Sequence, residues 1–200
     1  MGLNGQGSDR PNLMIVIASI RDGRAGISVG RWFERVAEEH GGFDVTVADL
    51  KEIDLPLMTE PNHPRMRQYT QPKTWAWSDR VDQADAFVFV MPEYNYGVSA
   101  PLVNALDYLY QEWQYKPVGL VSYGGVSGGL RAAQHVKQKV TTLNMHPLAQ
   151  GVTVQFVANH IEDGVFVPED QHISAAGDML DALVRWEHAL REMRVPAVVR

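Results

Sequence analysis

Residues 86–109 read AFVFVMPEYNYGVSAPLVNALDYL, and the fold follows from how this stretch divides. Its opening, 86–91, is an unbroken apolar run of the kind that forms a strand buried on both faces. Beyond it, Leu102, Leu106, Leu109 and Trp113 recur at helical spacing, predicting a helix over 100–113. Ser99 stands where an N-cap belongs and Pro101 falls in the first turn. A strand, a short polar step and a helix make half of a βαβ unit.

The same grammar runs along the chain. Apolar, β-branched runs at 13–18, 43–48, 117–122 and 151–157 alternate with helix patterns at 28–40, 75–83, 129–143 and 171–193. Five strands alternating with five helices predict an α/β fold, a doubly wound five-stranded parallel sheet of flavodoxin-like order 2-1-3-4-5 with helices on both faces. The first eleven residues, MGLNGQGSDRP, read as a mobile tail, and 12–195 as one domain. The segment 51–74, with four prolines, is the one long irregular stretch, suited to closing over a site, reaching a neighbouring subunit or doing neither.

Bulk composition removes several function classes. With no cysteine, disulfides, thiolate catalysis and cysteine-zinc sites are excluded. A net charge of −6 argues against non-specific nucleic-acid binding. Apolar runs fall short of the roughly 18 residues that span a membrane. The start lacks a secretory h-region, and Gln6 stands where a myristoylation signal wants Ser or Thr. A cytoplasmic protein acting on neither nucleic acid nor membrane is the expectation. Seven scattered histidines form no H-E-x-x-H pattern, so no metal is expected. Trp75 and Trp77 read as packing or interface groups.

In such sheets ligands bind beyond the carboxyl ends of the strands. After the first strand comes SIRDGRAGIS, 19–28, a turn into a helix whose free N–H groups and positive end suit a phosphate. Ser19, Arg21, Arg24, Gly26, Ile27 and Ser28 are the candidate contacts, and Gly23 and Gly26 permit close backbone approach. It is neither the G-x-G-x-x-G fingerprint nor a P-loop, and a solvated turn with two exposed arginines is the plain alternative. After the third strand, Pro92 stiffens the exit, Tyr94 and Tyr96 offer flat faces to an aromatic ligand, and Glu93 lacks a local catalytic partner.

PEYNYGVSAPLVNALDYL resembles the P-E-Y-N-x-S-x-P-x-x-L-K-N-A-I-D signature of the NADPH-dependent FMN reductase family, and SIRDGR resembles that family's G-S-x-R phosphate loop. The resemblance spans about 12–190. Gly97, Ser99, Val103, Ala18 and Arg24 depart from residues frequent in the family. The resemblance implies FMN as cofactor, NADPH or NADH as donor, and a ping-pong hydride transfer to N5 and on to a small-molecule acceptor such as a quinone, azo dye, flavin or oxidised metal ion. It implies that Pro92, Glu93, Tyr94 and Asn95 contact the ring largely through backbone, with the Tyr96 face beside them, and that Tyr123, Gly124 and Gly125 border its pyrimidine end. No side chain then needs to be catalytic. A homodimer or homotetramer packed through 100–113 is also implied.

Two rivals come from other classes. A flavodoxin-like electron carrier would bind flavin without reacting with NAD(P)H. Gly125-Val126-Ser127-Gly128-Gly129 also matches G-x-S-x-G, which would make Ser127 a hydrolase nucleophile with Asp163 or Glu169 as acid and His172 or His188 as base. Against that, Tyr123 and Gly124 separate the motif from the strand end, and a hydrolase leaves PEYN unexplained.

Overall fold

The apolar run at 86–91 forms the core of the central strand, β3 (Ala86–Tyr94), whose first seven residues are buried. The computed structural model describes residues 10–194, so the predicted tail at 1–9 and the domain end at 195 lie outside the described residues. Arg10, also assigned to that tail, instead donates to Asp44 at 2.6 Å. Flanking β3 in parallel are β1 (Asn12–Ile17) and β5 (Pro117–Tyr123). Outside them lie β2 (Asp44–Asp49) and β6 (His146–Val154), giving the order β2-β1-β3-β5-β6. With the short antiparallel β4 (Gly97–Val98) set aside, this is the predicted flavodoxin-like 2-1-3-4-5 arrangement.

Alternation along β3 divides the core. Phe87, Phe89 and Met91 face α3 (Pro72–Asp82), α4 (Ala100–Asp107) and α5 (Leu130–Thr142). Ala86, Val88 and Val90 face α1 (Gly26–His40) and α6 (Asp170–Arg194). Smaller elements include α2 (Leu50–Ile53) and the hairpin of β7 (Ile161–Glu162) with β8 (Val165–Phe166). Among the described residues no helix is long and apolar enough to cross a membrane.

Several boundaries differ from the sequence expectation, each for a physical reason. β3 runs on through Pro92–Tyr94, because Pro92 stays in register with Tyr123 and Tyr94 folds back onto Gly97. The turn between them holds Asn95 at φ 49° and Tyr96 at φ 66°, the left-handed pair that a tight two-residue hairpin demands. The helix expected to reach 113 stops at Asp107, and Gln111–Trp113 is a separate 3₁₀ turn. Ser99 precedes α4 in extended conformation, but its hydroxyl donates to Ala18 O at 3.1 Å rather than capping the helix. That bond ties α4 to the end of β1.

The irregular stretch is a fixed strap over α4. Asn104 donates to Pro56 O at 2.7 Å and accepts from Met58 N at 3.0 Å, while Tyr108 donates to Pro56 O at 2.9 Å. Further along, Tyr69 donates to the buried Glu112 at 2.9 Å, and Trp75 Nε1 donates to Tyr69 O at 3.1 Å. Glu60 gathers Thr70 N, Thr70 Oγ1 and Gln71 N at 2.7–3.0 Å. Burial by itself would raise that carboxyl, but the donors around it prevail and hold it at about 2. Trp77 is core, its indole N–H donating to Ala105 O at 3.0 Å.

Candidate functional site

The carboxyl ends of β1, β3 and β5 open onto one cleft of about 200 Å³. Residues 21–25 of the first loop, 92–94 of β3, Tyr123 at the end of β5 with Gly124 after it, and Val157 form its walls. The strand order dictates this meeting, since β3 sits between β1 and β5 and all three end on the same side.

The first loop is held by an internal ion pair. The Arg24 guanidinium donates to both Asp49 oxygens at the end of β2 and to Ser19 O, with the two side chains only 10% and 5% exposed. Asp49 also accepts from Lys51 N at 3.0 Å, capping α2. Arg24 is therefore committed to closing the loop. Ser28 likewise donates to Gly164 O at 2.7 Å, in the turn between β7 and β8. Arg21 lies over the Tyr94 ring, 5.6 Å from its centroid.

Under this loop two hydroxyls converge. Ser19 Oγ and Tyr123 OH are buried, and neither has a hydrogen-bond partner. Both press on Gly26, where an added Cβ would stand 2.2 Å from Ser19 Oγ and 2.4 Å from Tyr123 OH. The first N–H groups of α1, at Gly26 and Ile27, have no carbonyl four residues back within the helix. Donors, an open helix N-terminus and a glycine at the point of closest approach make a cradle for an anion.

Glu93 takes a part that the sequence did not reveal. Its carboxylate accepts from Ser127 Oγ at 2.8 Å, Arg131 N at 3.0 Å, Ala132 N at 3.4 Å and the Arg131 guanidinium at 2.8 Å. Gly129, the N-cap of α5, supplies no side-chain cap, so Glu93 caps the helix from the end of β3. Burial alone would raise the carboxyl, but the bonds from Ser127, Arg131 and Ala132 outweigh it and hold its pKa below the ordinary 4.5. Arg131, fixed by that contact, stacks 4.0 Å from the centroid of Tyr96.

Not every predicted contact reaches the cleft. Asn95 and Tyr96 form the hairpin tip, with Tyr96 65% exposed, and Gly125 is exposed outside the cleft, its carbonyl accepting from Phe156 N and Gly128 N. Sequence reasoning missed Asp49, Arg131 and the segment at 156–157, where Phe156 sits at φ 45° and Val157 N donates to Gly124 O. In the G-x-S-x-G match Ser127 Oγ donates to Glu93, a carboxylate already held by Arg131 and the start of α5, rather than to a histidine. His172 is buried, its Nδ1 accepting from Glu169 N at 3.0 Å, and His188 is on the exposed side of α6.

A flavodoxin-like parallel sheet with a cleft beyond the carboxyl ends of its strands is an architecture that nucleotide-binding α/β proteins use. The chain belongs to the NADPH-dependent FMN reductase family, whose model matches residues 11–159. An NAD(P)H-dependent FMN reductase of Schizosaccharomyces pombe is 34% identical over 174 residues, covering 86% of each chain. An NADPH:quinone oxidoreductase of Arabidopsis thaliana is 33% identical over 144 residues, covering 70% of this chain and 65% of that protein. Among solved structures, the flavoenzyme NAD(P)H:(acceptor) oxidoreductase FerB of Paracoccus denitrificans shares the fold with a TM-score of 0.70 at 19% identity, covering 90% of this chain and 98% of its own. The protein is thus an NAD(P)H-dependent oxidoreductase with FMN as cofactor.

Proposed function

We propose that FMN lies with its phosphate at the start of α1 and its ring between 92–94 and 123–124, and that turnover is ping-pong, with NAD(P)H and then the acceptor using one open face. The observation that carries this reading is the unpaired Ser19 hydroxyl beside Gly26, buried under the open N-terminus of α1. A phosphate satisfies such a group, and the residues present fit it. When bound, FMN takes hydride from the nicotinamide and passes two electrons on, so that NAD(P)H, a proton and a quinone become NAD(P)⁺ and hydroquinone.

The chain's own residues bind and orient. In this reading Ser19, the amides of Gly26 and Ile27, and Arg21 serve the phosphate, while Arg24 works through Asp49 and Ser28 through Gly164 to hold the loop and helix start in place. Pro92, Tyr94 and the Gly124 backbone flank the ring. Glu93 moves no proton, since its lone pairs are committed to α5. The relatives named quinone oxidoreductases favour a quinone among the acceptors. The reading includes a homodimer or homotetramer with 100–113 at the contact, which light scattering measures.

The test is anaerobic. NADPH added without acceptor should bleach the bound flavin in a single step, and initial rates against two substrates should give parallel lines. Intersecting lines would overturn the ping-pong order. A flavin that binds but stays yellow would mark an electron carrier, and failure to take up FMN would end the reading.

A further inference from the structure

We infer that the Tyr123 hydroxyl, together with that of Ser19, reads the phosphate of FMN rather than its ring, and so sets the preference for FMN over riboflavin. This rests on the proposed placement of FMN and assigns one side chain within it. Tyr123 is the last residue of β5, and in the proposed placement the backbone that follows it borders the ring. Its side chain goes elsewhere. Strand alternation turns it to the α1 face of the sheet, where it packs with the cluster containing Val29 and Phe33. Its oxygen ends beside Gly26, two loops away from the residue's own backbone neighbours.

Tyr123 is 4% exposed and Ser19 1% exposed, and both oxygens lack a partner in the protein. Buried hydroxyls without partners are rare and call for an explanation. Burial raises the phenol's pKa above its ordinary 10.0, so Tyr123 is a neutral donor at neutral pH. A donor pair at the floor of a helix N-terminus matches a phosphate oxygen, and riboflavin has none to offer. Gly26 belongs to the same device, because a side chain there would fill the space both hydroxyls share.

The test measures the dissociation constants of FMN and riboflavin by quenching of flavin fluorescence, for the unmodified protein, Tyr123→Phe and Ser19→Ala. Each substitution should weaken FMN by about 10-fold or more, the loss expected for one hydrogen bond to a charged group. Riboflavin should change by less than about two-fold. Apo Tyr123→Phe should melt no lower than the unmodified protein, because it loses only an unpaired oxygen. Equal weakening of both flavins would put Tyr123 against the ring and overturn the inference, as would unchanged FMN binding. Should Tyr123→Phe fail to fold, Ser19→Ala alone decides by the same two constants. If the unmodified protein binds no FMN, it is the underlying placement that fails.

Discussion

Replacing Glu93 with glutamine separates a structural acid from a chemical one. The carboxylate accepts four hydrogen bonds, two from the first backbone N–H groups of α5, one from Ser127 and one from the Arg131 guanidinium. Its side chain is 7% exposed, so water replaces little of what is lost. Glutamine keeps the shape and one acceptor oxygen, but its amide turns a donor toward donors and the negative charge disappears. Charge-assisted bonds are about twice as strong as neutral ones, and an anion at a partly buried helix N-terminus contributes up to about 2 kcal/mol. A loss of about 2–4 kcal/mol follows, which for a chain of this length lowers Tm by roughly 5–12 °C. Because the folded pKa lies below 4.5, the carboxylate's contribution is complete above that pH and fades as the pH falls beneath it. Urea titrations should therefore show the gap between the two proteins closing in acid. Reduction of bound flavin by NADPH should stay within about three-fold. A fall of about 1,000-fold in rate with Tm unchanged would refute the capping account and restore Glu93 as a proton carrier.

Gly26→Ala should abolish FMN retention on gel filtration while leaving the far-UV spectrum intact, since the new methyl meets Ser19 and Tyr123 oxygens at 2.2 and 2.4 Å. Asp49→Ala strands the Arg24 guanidinium in a site where that side chain is 10% exposed, and should cost about 3–5 kcal/mol in urea unfolding. Acid should loosen the strap before the sheet: Glu60 titrates near 2 when folded against an ordinary 4.5, so its support is whole above 4.5 and lost toward 2. Tryptophan fluorescence should report this through Trp75, and Glu60→Gln should flatten the transition. Lys116 is 5% exposed with its ammonium on Val81 O and Asp82 O, and burial lowers its pKa from 10.5 to about 8. A depressed lysine pKa costs stability below 8 and relieves that cost between 8 and 10.5, so stability should climb across that window and stay flat in Lys116→Met.

The sheet was legible because its strands are continuous apolar runs, which need no knowledge of distant partners. Its site was legible for a related reason, as strand ends fix where loops meet. What escaped depends on long-range pairing. Glu93 finds the start of α5 38 residues onward, and Arg24 finds Asp49 25 residues onward. The hairpin at 94–97 was hidden because Asn-Tyr lacks the glycine that usually announces such a turn. β6 starts at His146 instead of 151, since Pro147 and the polar Gln150 interrupt the apolar run. The direction of Tyr123 was available from strand parity, but only once the strand's last residue was known.

The strap has a consequence for how the enzyme comes apart. Pro56, Met58 and Tyr69 are fastened to Asn104, Tyr108 and Glu112, so the chain on either side of β3 is stitched into one unit. In hydrogen exchange the amides of 57–58 and 104–108 should open together, as a single foldon distinct from the α1 side of the sheet. Breathing of the strap would then free α4 from Pro56 and Met58 while the ion pair of Arg24 with Asp49 still held the first loop closed.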